Sequence, residues 1–345
     1  MLTNNLQTKV FKSEEYNYIF NRNNGFFARW GKTKDDDPEY SPFGPEILDI
    51  ELSTICSRGC SFCYKSNSFK GKNMSFDTFR SIFDRFPSTL TQIAFGIGDI
   101  DANPDLWKIM EYCRGKGIIP NITISGERIT SELFDKLADV CGAVAVSLYD
   151  KDTCYGAVVE LTSRMEQVNI HCLLSEETWD LCMQALEDSI NDPRLEGLNA
   201  IVFLQLKPKG RRNCFHSVKR GKFSALILFA LSKEVSFGFD SCSAPNFLKV
   251  VKNHPRFEEF RTIVEPCEST LFSYYINVEG KGFPCSFLER VSGYKGTDVV
   301  GCSNFLKGVW NHEETRRFRY TITKNKDQQG CRVCPIYNLE VRDES

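Results

Sequence analysis

The sequence lacks several features that would assign it to a familiar class at once. No apolar run approaches the roughly 20 residues of a membrane-spanning helix. Residues 1–5 do not form the basic-then-apolar pattern of a secretion signal, and no internal repeat or low-complexity tract is present. A formal net charge of -2 argues against general nucleic-acid binding. These absences predict a cytoplasmic protein without membrane association.

Cysteine, by contrast, is abundant, with fifteen residues in a chain of 345. Small secreted proteins crowd their cysteines into a short scaffold, whereas these are spread along the whole chain and are odd in number. Metal ligation is therefore the most economical explanation of the cysteine content.

The most informative stretch follows an apolar, strand-like run at residues 47–52. Here Cys56, Cys60 and Cys63 are separated by three and two residues. Three thiolates on one loop can bind one iron-sulfur cube and leave its fourth iron without a protein ligand. A zinc knuckle usually has paired Cys-x2-Cys units and a nearby fourth ligand, but the next cysteine is the distant Cys113. A disulfide with one odd thiol is the other alternative.

The spacing of these cysteines, with aromatic Phe62 before the third, resembles the radical S-adenosylmethionine (SAM) superfamily. The resemblance implies a 4Fe-4S cluster whose open iron binds SAM. A one-electron reductant of the flavodoxin or ferredoxin type would then allow cleavage of SAM to methionine and a 5′-deoxyadenosyl radical, which abstracts hydrogen from a substrate. The cofactor supplies this chemistry, and the protein supplies orientation and water exclusion.

Short apolar strands alternate with amphipathic helices after residue 46, which predicts an α/β fold with a parallel sheet. Periodicity alone equally allows an open doubly wound sheet. The resemblance implies a partial (β/α)6 barrel over residues 46–245. Before it, residues 1–45 form a lead-in with a hairpin at Asn24-Gly25, too short for a separate peptide-recognition domain. Strands are predicted at 47–53, 92–97, 120–125, 143–149, 168–174, 200–206 and 235–240.

Ligands of parallel α/β folds gather where the strands end. After the second strand come Gly96, Gly98 and Asp99, where the superfamily usually has a Gly-Gly-Glu-like motif that receives the amino group of SAM. This sequence inserts Ile97 and uses aspartate. Ser125 and Ser147 lie at later strand ends and are candidates for binding the ribose or carboxylate, although such serines often only cap helices. By resemblance, the backbone around Phe62 contacts adenine.

A second cysteine set lies near the C-terminus and consists of Cys267, Cys285, Cys331 and Cys334. It resembles the twitch or shortened SPASM domain, which implies one auxiliary 4Fe-4S cluster within residues 246–345. The segment 274–283 is predicted to form a hairpin around a glycine turn. A four-cysteine zinc site is the alternative, and Cys302 is a possible substitute ligand.

Cys242 and Asp240 follow the last predicted barrel strand and are candidate catalytic residues. The thiol is suited to return a hydrogen atom to a substrate radical, and the carboxylate to accept a proton. A buried inert cysteine is the plainer alternative. The basic residues at 207–222 are predicted to lie at the barrel mouth, either facing an anionic substrate or simply solvated.

The sequence thus predicts a radical SAM enzyme that modifies a peptide or protein side chain. An alternative is oxidation of a small polar metabolite such as a sugar alcohol or nucleotide, since fold does not choose between substrates. A noncatalytic iron-sulfur or zinc binding protein is the alternative from another class.

Overall fold

A computed structural model describes residues 7–342, so residues 1–6 and 343–345, the ends of the first and third predicted segments, lie outside the described residues. The N-terminal part is a three-stranded antiparallel sheet of β1 (Thr8–Phe11), β2 (Asn17–Asn21) and β3 (Phe27–Trp30). The predicted hairpin is confirmed, because β2 pairs with β3 and Gly25 adopts a φ of 75° in the turn. Within the lead-in, residues 8–30 therefore form a regular antiparallel sheet.

The main sheet has ten strands, of which the first seven along the chain are parallel and are connected by helices. Its strands are β4 (Ile47–Glu51), β5 (Gln92–Gly96), β6 (Ile119–Ile124), β7 (Val144–Ser147), β8 (Val168–Leu174), β9 (Ala200–Gln205), β10 (Phe237–Phe239), β11 (Ser273–Ile276), β12 (Lys281–Phe283) and β13 (Thr297–Asp298). The α-helices are α1 (Phe76–Phe83), α2 (Leu106–Gly115), α3 (Ser131–Val140), α4 (Lys151–Thr162), α5 (Trp179–Asn191), α6 (Arg220–Ser232), α7 (Ala244–Val250), α8 (Phe257–Ile263) and α9 (Glu313–Lys324). Among residues 7–342 no helix is both long and apolar enough to cross a bilayer.

The strand order separates the two fold alternatives. Strands β4 to β10 follow one another across the sheet in chain order, without the reversal that defines a doubly wound sheet. The edges do not close on each other, because β11 pairs in parallel with the free side of β4. The fold is therefore an α/β partial barrel, and the predicted C-terminal hairpin, β11 with β12, extends its sheet.

Helix α1 shows how the sequence specifies the packing. The Ser75 hydroxyl accepts a hydrogen bond from the Thr78 amide at 3.2 Å and so caps the first turn. Phe79 and Ile82 are fully buried against the sheet, and Phe76, Phe83 and Phe86 pack beside them. The core also contains the buried Cys113, Cys141, Cys154, Cys172 and Cys182.

Asn103 lies at the entry to the next helix. The Asn103-Pro104 pair predicts a capped helix start, and α2 begins at Leu106, after a turn in which the Asn103 Oδ1 accepts the Asp105 amide at 2.9 Å. The Asn103 amide is buried and donates to the carbonyls of Leu52 and Met74, both at 2.9 Å. It therefore ties the end of β4 to the chain segment that enters α1.

Replacing Asn103 with leucine should destabilise the protein by about 1–3 kcal/mol, because two buried carbonyls lose a hydrogen-bond donor. Denaturant unfolding of the cluster-free protein measures this change. Asn73→Ala is the matched control, since the exposed Asn73 amide also donates to a backbone carbonyl, that of Ala102. Equal losses for the two variants would contradict the role given to Asn103.

Candidate active site

The three clustered cysteines lie on a loop that leaves the carboxyl end of β4. Backbone hydrogen bonds hold the start of this loop against the residues that follow it. The Thr54 amide donates to the Lys72 carbonyl at 2.9 Å, and the Cys56 amide donates to the Ser68 carbonyl at 3.1 Å. The loop therefore folds back on itself and presents Cys56, Cys60 and Cys63 from one short segment.

All three thiols are free and partly exposed. Burial raises the pKa of Cys60, as do the neighbouring Cys56 and Cys63 thiols, while the Arg58 guanidinium acts in the opposite direction. Mutual repulsion of this kind is expected where thiolates converge, and a bound cation or cluster removes it. The donor set therefore fits a three-thiolate iron-sulfur site.

Gly98 and Asp99 hold the cysteine loop in place. A Cβ atom at Gly98 would lie 2.0 Å from the Ile55 carbonyl oxygen and 2.7 Å from the Cys56 Cβ. The Asp99 carboxylate accepts the Ser57 amide at 2.9 Å and pairs with Arg128 at 3.0 Å. Burial raises the pKa of Asp99, but these bonds outweigh it and lower the pKa below its usual value.

The remaining predicted SAM contacts lie at the same edge of the sheet. Gly96 ends β5 and Ser147 ends β7, while the Ser125 hydroxyl, just past β6, accepts the Glu127 amide at 3.3 Å. The Phe62 ring lies 6.1 Å from the Tyr149 ring and 5.1 Å from the Phe215 ring, measured between centroids. Their assignment as SAM contacts stays a prediction.

In the second cysteine set, three members interact electrostatically with one another. Burial, the neighbouring Cys267 thiol and the Cys334 thiol raise the pKa of Cys285 to about 12. The Tyr337 amide donates to the Cys334 sulfur at 3.3 Å, and the Arg332 guanidinium donates to the Cys267 carbonyl at 3.0 Å. Cys267, Cys285 and Cys334 are therefore close neighbours.

Cys331 and Cys302 are affected by other neighbouring groups. Burial raises the pKa of Cys331 to about 11, and the other groups that affect this pKa are Asp327, Arg332 and Lys249 rather than cysteines. The Cys302 thiol donates to the Val299 carbonyl at 3.3 Å. Cys242, by contrast, lies near both Cys267 and Cys285, whose charges act on its pKa.

Neither predicted cysteine set forms a compact single-ion site. Within residues 7–342 no three histidine, cysteine or acidic side chains are arranged to hold one metal ion. The two alternatives ask for different geometry, because zinc needs its ligands around one ion whereas an iron-sulfur cluster binds its thiolates at separate irons. The disulfide alternative is not supported, because all fifteen cysteines are free.

The basic stretch at 207–222 differs from the expected single cationic surface. Lys207 is only 6% exposed and pairs with Asp240, whose other oxygen accepts the Ser243 hydroxyl at 2.7 Å. Lys209 donates to the Phe287 and Glu289 carbonyls at 2.6 and 2.5 Å. These two lysines therefore anchor the loop, and sequence reasoning missed them because a charge run gives no sign of which members are buried.

A buried ionic cluster joins the cysteine loop to the C-terminal hairpin. Lys65, two residues after Cys63, pairs with Glu51 at 3.1 Å and also with Glu289. Its ammonium donates to the Tyr275 hydroxyl at 2.6 Å. The same loop contributes Tyr64, whose ring centroid lies 4.3 Å from that of Phe287.

Comparison with known proteins agrees with this architecture. Residues 50–149 match the family model described as the Radical SAM superfamily. The structure is similar to that of Streptococcus suis SuiB, with 12% identity, TM-score 0.69, and coverage of 94% of this chain and 92% of that chain. SuiB bound to the precursor peptide SuiA gives 13% identity, TM-score 0.70 and the same coverage. The protein anSMEcpe with bound AdoMet gives 14% identity, TM-score 0.59 and 79% coverage of each chain. A search of curated proteins found no match.

Replacing Lys65 with methionine should destabilise the protein by about 3–5 kcal/mol, because Glu51 and Glu289 would lose the cation between them. Lys72→Met is the matched control. Lys72 also pairs with a glutamate, Glu279, but both side chains are largely exposed, and the expected loss is about 0–1 kcal/mol. Urea unfolding of both variants tests this, and similar losses would show that the buried cluster has no special role.

Replacing Gly98 with alanine should displace the cysteine loop, with a cost of about 1–3 kcal/mol in stability and less iron bound after reconstitution. Gly96→Ala provides the control, because its Cβ would lie 3.6 Å from the nearest atom, an ordinary contact. The measurements are unfolding of the cluster-free protein and iron content. Full iron content in the Gly98 variant would refute the packing role.

Proposed function

We propose that this protein is a radical SAM enzyme that modifies a peptide or protein side chain. The main support is the set of three free, mutually interacting thiols at the carboxyl end of β4, inside the segment that matches the Radical SAM superfamily. When bound there, the 4Fe-4S cluster supplies the electron for reductive cleavage of SAM. Residues 46–245 would form the catalytic barrel.

In this proposal the chain's own residues hold and orient the cofactor. Cys56, Cys60 and Cys63 would bind the cluster, and Gly98 with Asp99 would keep their loop in register. SAM would be contacted by the backbone near Phe62 and by Gly96, Gly98, Asp99, Ser125 and Ser147. The strand ends are the usual ligand position in such a fold, which supports this arrangement.

The C-terminal segment, residues 246–345, would bind one auxiliary 4Fe-4S cluster. The neighbouring positions of Cys267, Cys285 and Cys334 support this assignment. Cys331, the fourth predicted ligand, would have to turn from the core towards them. Cys242 and Asp240 remain the proposed hydrogen donor and proton acceptor on the substrate side.

The choice of a peptide substrate is supported by two of the similar structures, since SuiB was solved with a precursor peptide and anSMEcpe with a peptide, Cp18Cys. Oxidation of a small polar metabolite is the second candidate. The buried Lys207–Asp240 pair beside Cys242 favours it, because a fixed charge pair suits the hydroxyl groups of such a molecule.

Anaerobic reconstitution tests the proposal. Wild-type protein should bind about eight irons per chain, and the Cys60→Ala and Cys334→Ala variants about four each, because each loses one cluster. With dithionite and SAM, 5′-deoxyadenosine should form in wild type and Cys334→Ala but not in Cys60→Ala. A fully loaded wild-type protein that forms none would be a noncatalytic iron-sulfur protein.

A further inference from the structure

A polar cavity of about 510 Å³ lies on the outer side of the cysteine loop. One wall is the continuation of that loop, residues 65–72, and the opposite wall is the turn between β11 and β12 with residues 289–295. The cavity thus lies between the segment that carries the first cysteine set and the segment that follows Cys285.

The walls of this cavity are strongly cationic although the whole chain has a net charge of -2. Its three acidic residues are already paired: Glu51 and Glu289 with Lys65, and Glu279 with Lys72. No carboxylate within residues 7–342 forms an ion pair with the five other cations of its lining, which are Lys70, Arg211, Lys281, Arg290 and Lys295. The excess positive charge is therefore available to a ligand.

The position of the cavity separates it from the proposed reaction chamber. None of the residues proposed to contact SAM, at the ends of β5, β6 and β7, lines it. A substrate attacked by a radical must reach that chamber. A molecule in this cavity would instead contact residues 65–72, the segment that begins two residues after Cys63. Such a position suits the delivery of an electron rather than the binding of a substrate.

We propose that this cavity and its cationic rim are the docking surface for an acidic one-electron carrier protein. The inference rests on the proposed function, which requires an external electron for each cleavage of SAM. The docked carrier would be oxidised by one electron, and the cluster that Cys56, Cys60 and Cys63 would hold would accept that electron, so no further reactant is needed.

The strength of such docking follows from the charges. A patch of one sign raises the association rate of an oppositely charged partner by about 10–1,000-fold at low salt. The effect weakens once the Debye length falls to about 8–10 Å near physiological ionic strength. Affinity for an acidic carrier should therefore fall steeply as salt is added.

The test uses two double variants with the same change in formal charge. Lys281→Glu with Lys295→Glu reverses two exposed side chains of the rim. Lys34→Glu with Lys233→Glu reverses two exposed lysines that do not line the cavity. The probe is an acidic flavodoxin, and calorimetry measures its dissociation constant with the cluster-free protein at low and moderate salt. Reduction of the reconstituted protein by the flavodoxin and by dithionite is then compared.

The rim variant should bind flavodoxin at least about tenfold more weakly at low salt, and the control within about twofold of wild type. Dithionite-driven formation of 5′-deoxyadenosine should be unchanged in both. Equal weakening in the two variants, or none in the rim variant, would overturn the inference. So would a rim variant that keeps its flavodoxin affinity but loses binding of a polyglutamate peptide, because the cavity would then be an acidic-peptide groove.

The same experiment keeps the two proposals apart. Absence of 5′-deoxyadenosine from wild-type protein with dithionite would refute the proposed chemistry, while the calorimetry would still report whether the cavity binds the carrier. Normal dithionite activity with no effect of the rim variant on flavodoxin affinity would refute only the docking surface.

Discussion

The candidate site depends on the contacts that the buried Lys65 ammonium makes with three segments of the chain. This ammonium contacts the end of β4 through Glu51, the hairpin through Tyr275, and the segment after Cys285 through Glu289. A charge in such a place is tolerated only when its partners surround it, so the three segments are held in one arrangement. The Val278 amide, which donates to Glu51 at 3.2 Å, completes that arrangement.

This constraint makes the two cysteine sets parts of one structure. Tyr64 follows Cys63 directly and packs against Phe287, two residues after Cys285. The hairpin that follows Cys267 also continues the main sheet through β11 and β4. The segments that carry the two cysteine sets therefore share one continuous sheet.

Much of this fold could be predicted from local signals. Phenylalanines at helical spacing behind a serine cap identify α1, and Asn24-Gly25 identifies the first hairpin. Helices α7, α8 and α9 are not among the predicted elements, although Pro245 in the first turn of α7 and acidic residues in the first turns of α8 and α9 are ordinary helix-start signals.

The less predictable features arise from contacts between distant segments. Nothing local indicates that Asn103 bonds two remote carbonyls, that Lys207 is buried against Asp240, or that Cys331 packs in the main hydrophobic core. The sequence also places Asp99 correctly after β5 but does not reveal that its carboxylate already binds the Ser57 amide. Tertiary packing decides each of these points.

The pairing of β11 with β4 has a consequence for how the chain folds during its synthesis. Ile47 pairs with Gln92 on one side and with Ser273 on the other, so one edge of β4 is available long before its second partner leaves the ribosome. An unpaired edge strand is a template for association with other chains. Nascent chains therefore pass through an aggregation-prone intermediate until the hairpin of β11 and β12 has been synthesised. Slow translation or a premature stop would prolong the lifetime of that intermediate.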